Sequence, residues 1–121
     1  MINGTVIDLE AWVKVVFVIP GRPETVLDFV IDTGFAGALT LPEHMVKTLG
    51  LVFEQDLVTT LADNRPAKAD VYAANIVWQD DEIEVAVLAI GERPLLGTAL
   101  LAGNELRVLF VENGPVAILQ P

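Results

Sequence analysis

An all-β chain with one or two short helices is the fold class the sequence predicts, and three observations predict it. Runs rich in valine, isoleucine, threonine and aromatic residues recur along the chain, several alternating apolar with polar at a period of two. Clusters of proline, glycine, aspartate and asparagine separate these runs at short intervals. Only two brief stretches carry the punctuation of a helix. At 121 residues the chain suits one domain, 1–121, closed around a modest core.

Taken in order, Thr5 to Leu9 and Trp12 to Ile19 read as strands, the second ending at the turn cluster Pro20-Gly21-Arg22-Pro23. In that second run Val13, Val15, Phe17 and Ile19 form a wholly apolar face, alternating with Trp12, Lys14, Val16 and Val18. Thr25 to Ile31 is a third strand and runs straight into Asp32-Thr33-Gly34. A short apolar stretch, Ala38 to Leu41, precedes Pro42 to Gly50. There proline and an acid at the start, with lysine and glycine at the end, give a helix polarity. Leu51 to Leu61 and Ala69 to Trp78 are strands joined by the hairpin tip Ala62-Asp63-Asn64-Arg65-Pro66. Ile83 to Ile90 alternates Ile83, Val85 and Val87 against Glu82, Glu84 and Ala86. Thr98 to Ala102 is a short helix ending at Gly103, and Leu106 to Val111 and Val116 to Leu119 are the last strands. A faint internal repeat joins an apolar strand to a glycine turn twice, at Val30-Ile31-Asp32-Thr33-Gly34 and at Leu95-Leu96-Gly97.

Composition narrows the partners. Seventeen acidic against seven basic residues give a formal charge of −10, which repels phosphate backbones and anionic membranes, so neither nucleic acid nor a membrane is an expected partner. Two copies of the chain repel as well, so a dimer needs apolar contacts and backbone pairing. The 53% hydrophobic content is high for so small a domain and fits a surface covered by another subunit. There is no cysteine, hence no disulfide and no thiolate metal site. The N-terminus lacks the basic start and apolar stretch of a signal peptide, and a cytoplasmic location is expected.

The segment that carries chemistry is Phe29-Val30-Ile31-Asp32-Thr33-Gly34. It puts an ionisable aspartate at the end of a hydrocarbon strand, on a turn whose glycine permits close backbone approach and whose threonine offers a hydroxyl. One such carboxylate has little catalytic use. Two about 3 Å apart cannot both ionise and share one proton, so one serves as base for water while the other donates to a carbonyl. The chain contains a single Asp-Thr-Gly, so the twin must come from another subunit, most simply across a two-fold axis.

Asp32-Thr33-Gly34 with its apolar lead-in, followed some way on by Leu95-Leu96-Gly97 and the helix from Thr98 to Ala102, resembles the retropepsin-like aspartic proteases. The nearest likeness is to their bacterial and archaeal single-domain relatives of the Asp-Thr-Gly-Phe type. The likeness runs over nearly the whole chain in order. It implies a closed acid-protease barrel half acting as a homodimeric aspartic endopeptidase on a peptide or protein substrate, with no cofactor and no metal. It assigns catalysis to Asp32, a hydrogen bond across the dimer axis to Thr33, and turn shape and substrate contact to Gly34. Phe35 and Ala36 would line the substrate cleft, and Ala62, Asp63, Asn64 and Arg65 would be the tip of a flap. Leu95, Leu96 and Gly97 would buttress the catalytic loop. Met1 to Val6 and Val116 to Pro121 would join a sheet shared by two subunits. The chain departs from the family at Phe35, where a small residue is usual. It departs again at Ala36 and Thr98, where retroviral members carry an aspartate and an arginine that pair; loss of both leaves no charge unpaired.

Other readings remain open on the residues. Asp32 could be an ordinary turn residue in an unrelated β architecture, or the scaffold could serve as a non-catalytic peptide-binding or assembly module with Phe35 filling its cleft. A serine or cysteine nucleophile is excluded because the chain has neither residue. His44, the single histidine, sits in the first short helix and reads as a surface residue. Asp80-Asp81-Glu82 lacks the ligand spacing of a calcium loop, and Gly91-Glu92-Arg93-Pro94 reads as a turn, not a phosphate cradle.

Overall fold

A computed structural model describes residues 1–60 and 63–121. These form β1 (Ile2–Ile7), β2 (Glu10–Val18), β3 (Thr25–Ile31), β4 (Leu39–Leu41), α1 (Glu43–Leu49), β5 (Val52–Thr60), β6 (Pro66–Trp78), β7 (Asp81–Ala89), β8 (Leu95–Leu96), α2 (Thr98–Leu101), β9 (Glu105–Val108) and β10 (Pro115–Leu119). The strands join in one ten-stranded sheet in the order β5-β6-β7-β4-β8-β3-β2-β1-β10-β9, and β2 pairs in addition with β6 through Val16–Val18. The protein is mostly β, as its periodicity predicts.

The period-two patterns sort as expected. In β2, Ala11, Val13, Val15 and Phe17 are buried while Lys14 is exposed. Phe17 stacks on Phe29 of β3 with ring centroids 6.0 Å apart, and Leu39, Leu41, Ile76, Val87, Leu96 and Ile118 complete the interior. Burying such side chains contributes about 2 kcal/mol each, which is what commits the strands to one face. Helix α1 starts after Pro42 with Glu43 in its first turn. It ends at Gly50, whose φ of 67° is the left-handed value glycine adopts without a Cβ penalty.

Several boundaries differ from the sequence reading. β1 stops at Ile7 because Asp8 and Leu9, with φ of 51° and 62°, form a two-residue turn into β2. β6 begins at Pro66, giving a long hairpin with β5. β9 ends at Val108, and Leu109 to Asn113 turn back toward β10.

The strand order also departs from the shared terminal sheet that the resemblance implies. β1 lies between β2 and β10, and β10 between β1 and β9, so both terminal strands are flanked within the chain itself. β9 and β5 are the outer strands.

The element that positions the candidate site is β8. It pairs parallel with β3 (Val30↔Leu95, Ile31↔Leu96) and antiparallel with β4 (Leu39↔Leu96, Thr40↔Leu95). Since β3 and β4 are consecutive, the loop from Asp32 to Ala38 must straddle β8. The two halves of the internal repeat thereby lie side by side.

Candidate active site

The Asp32 loop is fixed from both ends by backbone bonds. The Asp32 amide donates to the Leu96 carbonyl at 2.9 Å, and the Phe35 amide closes a turn on the Asp32 carbonyl at 3.1 Å. From the far side, the Gly97 amide donates to Ala38 at 2.9 Å and the Thr98 amide to Phe35 at 2.9 Å. The Thr98 hydroxyl reaches the same Phe35 carbonyl at 3.3 Å. Backbone, being chemically invariant, is a stiff mount for a side chain that must be held in register.

On this mount Asp32 is half-buried, and its Oδ1 accepts a bond from the Gly34 amide at 2.9 Å. That bond orients one carboxylate oxygen. Thr33 and Gly34 are exposed.

Phe35 is accommodated by two missing side chains. A Cβ on Gly37 would lie 2.5 Å from the Phe35 ring. One on Gly97 would lie 2.3 Å from the Gly37 carbonyl oxygen and 2.5 Å from both the ring and the Phe35 carbonyl oxygen. The half-buried ring thus folds back over two glycines, of which Gly97 closes the Leu95-Leu96-Gly97 motif.

Asp32 stands between two depressions. One, of about 490 Å³, is lined by Asp32, Gly34, Phe35 and Thr40, by Thr60 at the end of β5, and by the segment from Leu88 to Leu95. The other, of about 400 Å³, has Asp32 and Thr33 on one wall and Leu9, Leu106, Val108 and Phe110 among its apolar residues. The candidate residues are therefore divided. Asp32, Gly34 and Phe35 meet in the first depression and Thr33 faces the second. Ala36 is exposed and lines neither. Asp63, Asn64 and Arg65 form the exposed tip of the β5–β6 hairpin. There the Arg65 amide donates to Asp63 at 3.1 Å and Asn64 takes a left-handed φ of 64°. Ala62 lies outside the described residues. Among the described residues of the hairpin, Thr60 reaches the cleft wall.

Arg93 is the site residue that sequence reasoning passed over as part of a turn. It lines both depressions. Its guanidinium lies 2.8 Å from the Glu10 carboxylate and 5.7 Å from the centre of the Trp12 ring. The hydrogen bond from Arg93 holds the Glu10 carboxyl below the usual glutamate range, and Glu10 in turn raises the guanidinium. Behind it, buried Thr40 donates its hydroxyl to the Arg93 carbonyl at 3.3 Å and accepts the Leu95 amide at 3.1 Å. No local motif announces this cluster, because Glu10 and Arg93 are 83 positions apart.

No family model matches the chain, and no curated protein sequence does. Among solved structures it is similar to the crystal structure of a retropepsin-like aspartic protease from Rickettsia conorii. The identity is 17% and the TM-score 0.55, over 97% of this chain and 91% of that one. The likeness is one of fold: the chain has a retropepsin-like architecture.

Proposed function

We propose that the chain, as a single domain over residues 1–121, is one half of a homodimeric aspartic endopeptidase. The observation that carries the reading is the placement of Asp32. Its carboxylate, oriented by the Gly34 amide, stands at the wall of an open cleft on a loop clamped across β8, in a fold shared with a retropepsin-like aspartic protease. The β2–β6 pairing supports a closed barrel half behind it.

The chemistry follows from bringing two copies of Asp32 together. With one proton between them, the ionised carboxylate removes a proton from water, whose oxygen bonds to the scissile carbonyl carbon. The protonated partner delivers its proton to the carbonyl oxygen. Collapse of the tetrahedral intermediate re-forms the carbonyl and breaks the carbon–nitrogen bond, with a proton passing to the leaving amine. No covalent enzyme intermediate is needed. The exposed Thr33 hydroxyl is suited to bond across the axis. Gly34 and Phe35 form the floor, the β5–β6 tip serves as a flap, and Ala36 lies at the exposed rim. Folding of the Phe35 ring onto Gly37 and Gly97 supports an open cleft over a blocked one. The pair can work only while the two carboxylates share one proton.

The test is cleavage of a denatured protein mixture across pH with and without a statine-type inhibitor. Inhibitor-sensitive cleavage that vanishes in Asp32→Asn, with the variant still folded, is the expected result. Undiminished cleavage by Asp32→Asn would assign the activity elsewhere and end the proposal.

A further inference from the structure

We propose that the larger depression at Asp32 is a subsite for a lysine or arginine side chain of the substrate, with Glu92 as the residue that selects it. The proposal deepens the peptidase reading above and rests on it.

A long cationic side chain has two needs. Its methylene stem wants an apolar surface, and its charged head wants an acceptor in contact with water. The depression of about 490 Å³ offers both. Phe35, Leu88, Ile90 and Leu95 supply hydrocarbon, and the exposed Glu92 brings a carboxylate to the same wall. An acidic side chain would instead meet Glu92 and Asp32 together.

Glu92 is open to a ligand because the cations around it are taken. Among the described residues it has no ion-pair partner. It lines two depressions and shares each with one cation, Arg93 in the cleft and Lys47 in the hollow beside α1. Arg93 is held by Glu10 at 2.8 Å, and Lys47 by Glu43 at 2.9 Å. Each pair cancels its own charge, so Glu92 adds a negative charge to the cleft beyond that of Asp32.

Its mount is firm. The turn that carries it is fastened before Glu92 by the Ile90 amide, which donates to the Leu41 carbonyl at 3.1 Å. After Glu92 it is fastened by the Thr40 hydroxyl on the Arg93 carbonyl at 3.3 Å and the Val30 amide on the Pro94 carbonyl at 3.1 Å. Gly91 takes the left-handed φ of 78° between these anchors. A carboxylate on a tethered turn is held near one place, which is what discrimination between side chains requires.

The whole chain acts in the same sense. A charge of −10 draws cationic peptides toward the surface and raises their rate of encounter, an effect that salt weakens. Steering sets how often a basic peptide arrives; Glu92 sets which of its side chains is seated.

Mass-spectrometric mapping of the bonds cut in a denatured protein mixture is the test, with wild type, Glu92→Gln, Glu92→Lys and Glu24→Gln. Glu24 lies exposed just before β3 and does not line the depression, so its change removes the same unit of charge elsewhere. Lysine and arginine should be enriched at one position flanking the cut in wild type and in Glu24→Gln. Glu92→Gln should lower that enrichment by about 10-fold or more, and Glu92→Lys should turn it toward acidic residues, with circular dichroism native throughout. A wild type without basic preference, or a preference equal in Glu92→Gln, overturns the inference. Enrichment of acidic residues by the wild type overturns it too and passes the selecting role to Arg93. Where no bond is cut, the peptidase reading falls, and the subsite is judged by binding of a fluorescent peptide of alternating lysine and leucine. Affinity about 10-fold weaker in Glu92→Gln than in Glu24→Gln keeps the subsite without the protease, and equal affinity refutes it.

Discussion

Phe35 follows the Asp32 turn directly, and its surroundings make a sharp test. The three nearest neighbours of a Cβ on Gly37 are all atoms of the Phe35 ring, at 2.5, 2.8 and 3.3 Å. A Cβ on Gly97 meets backbone oxygens, which cannot rotate away. Gly37→Ala should therefore destabilise by roughly 1–3 kcal/mol, as overpacking does. Phe35→Ala in the same chain should restore most of that loss, giving a favourable coupling of about 1 kcal/mol or more in a urea-unfolding cycle. Gly97→Ala should gain little from the same second change. Equal rescue of both alanines would mean the ring is not what Gly37 makes room for. At this scale the sequence was informative where chemistry is local. Asp32 on its hydrocarbon-backed turn could be read from six consecutive residues. Arg93 could not, since its roles come from Glu10, Trp12 and Thr40, which only the folded chain brings to it.

At the scale of elements, β8 is a two-residue strand, and it holds the site together. Its partners come from strands on both sides, so its own composition says almost nothing about where it lies. Leu95-Leu96-Gly97 stood out as an echo of the Asp32 turn and as part of the family resemblance; pairing showed the echo to be an adjacency. Alternation was legible wherever one face meets the core, as in β2 and β7. It failed at the Asp8-Leu9 turn, where an apolar residue reads as strand but the chain reverses. Thr40 is buried and anchors β8 through its side chain. Its hydroxyl serves the Leu95 amide and the Arg93 carbonyl together. Thr40→Val keeps the shape and removes both bonds, leaving a buried donor without its acceptor. Unfolding free energy should fall by about 2 kcal/mol. If the proposed chemistry is right, cleavage should fall further than Thr40→Ser, which retains the hydroxyl. A Val variant as stable as wild type would show that β8 needs no such anchor.

Across the whole molecule, the excess of acid sets how the fold responds to pH. The Glu10–Arg93 pair ties β2 to the segment between β7 and β8, and Arg93 borders both depressions flanking Asp32. The carboxyl of Glu10 is held below its ordinary range in the folded chain, chiefly by the hydrogen bond from Arg93. The folded state thus binds the Glu10 proton less readily than the unfolded state does. The pair's contribution to stability is accordingly complete above the ordinary glutamate range and fades as pH falls through the lowered folded value. Glu10→Gln should be slightly less stable than wild type near neutrality, and the two urea midpoints should converge under acid. A gap that persists unchanged into strong acid would trace it to packing of the side chain instead of its charge.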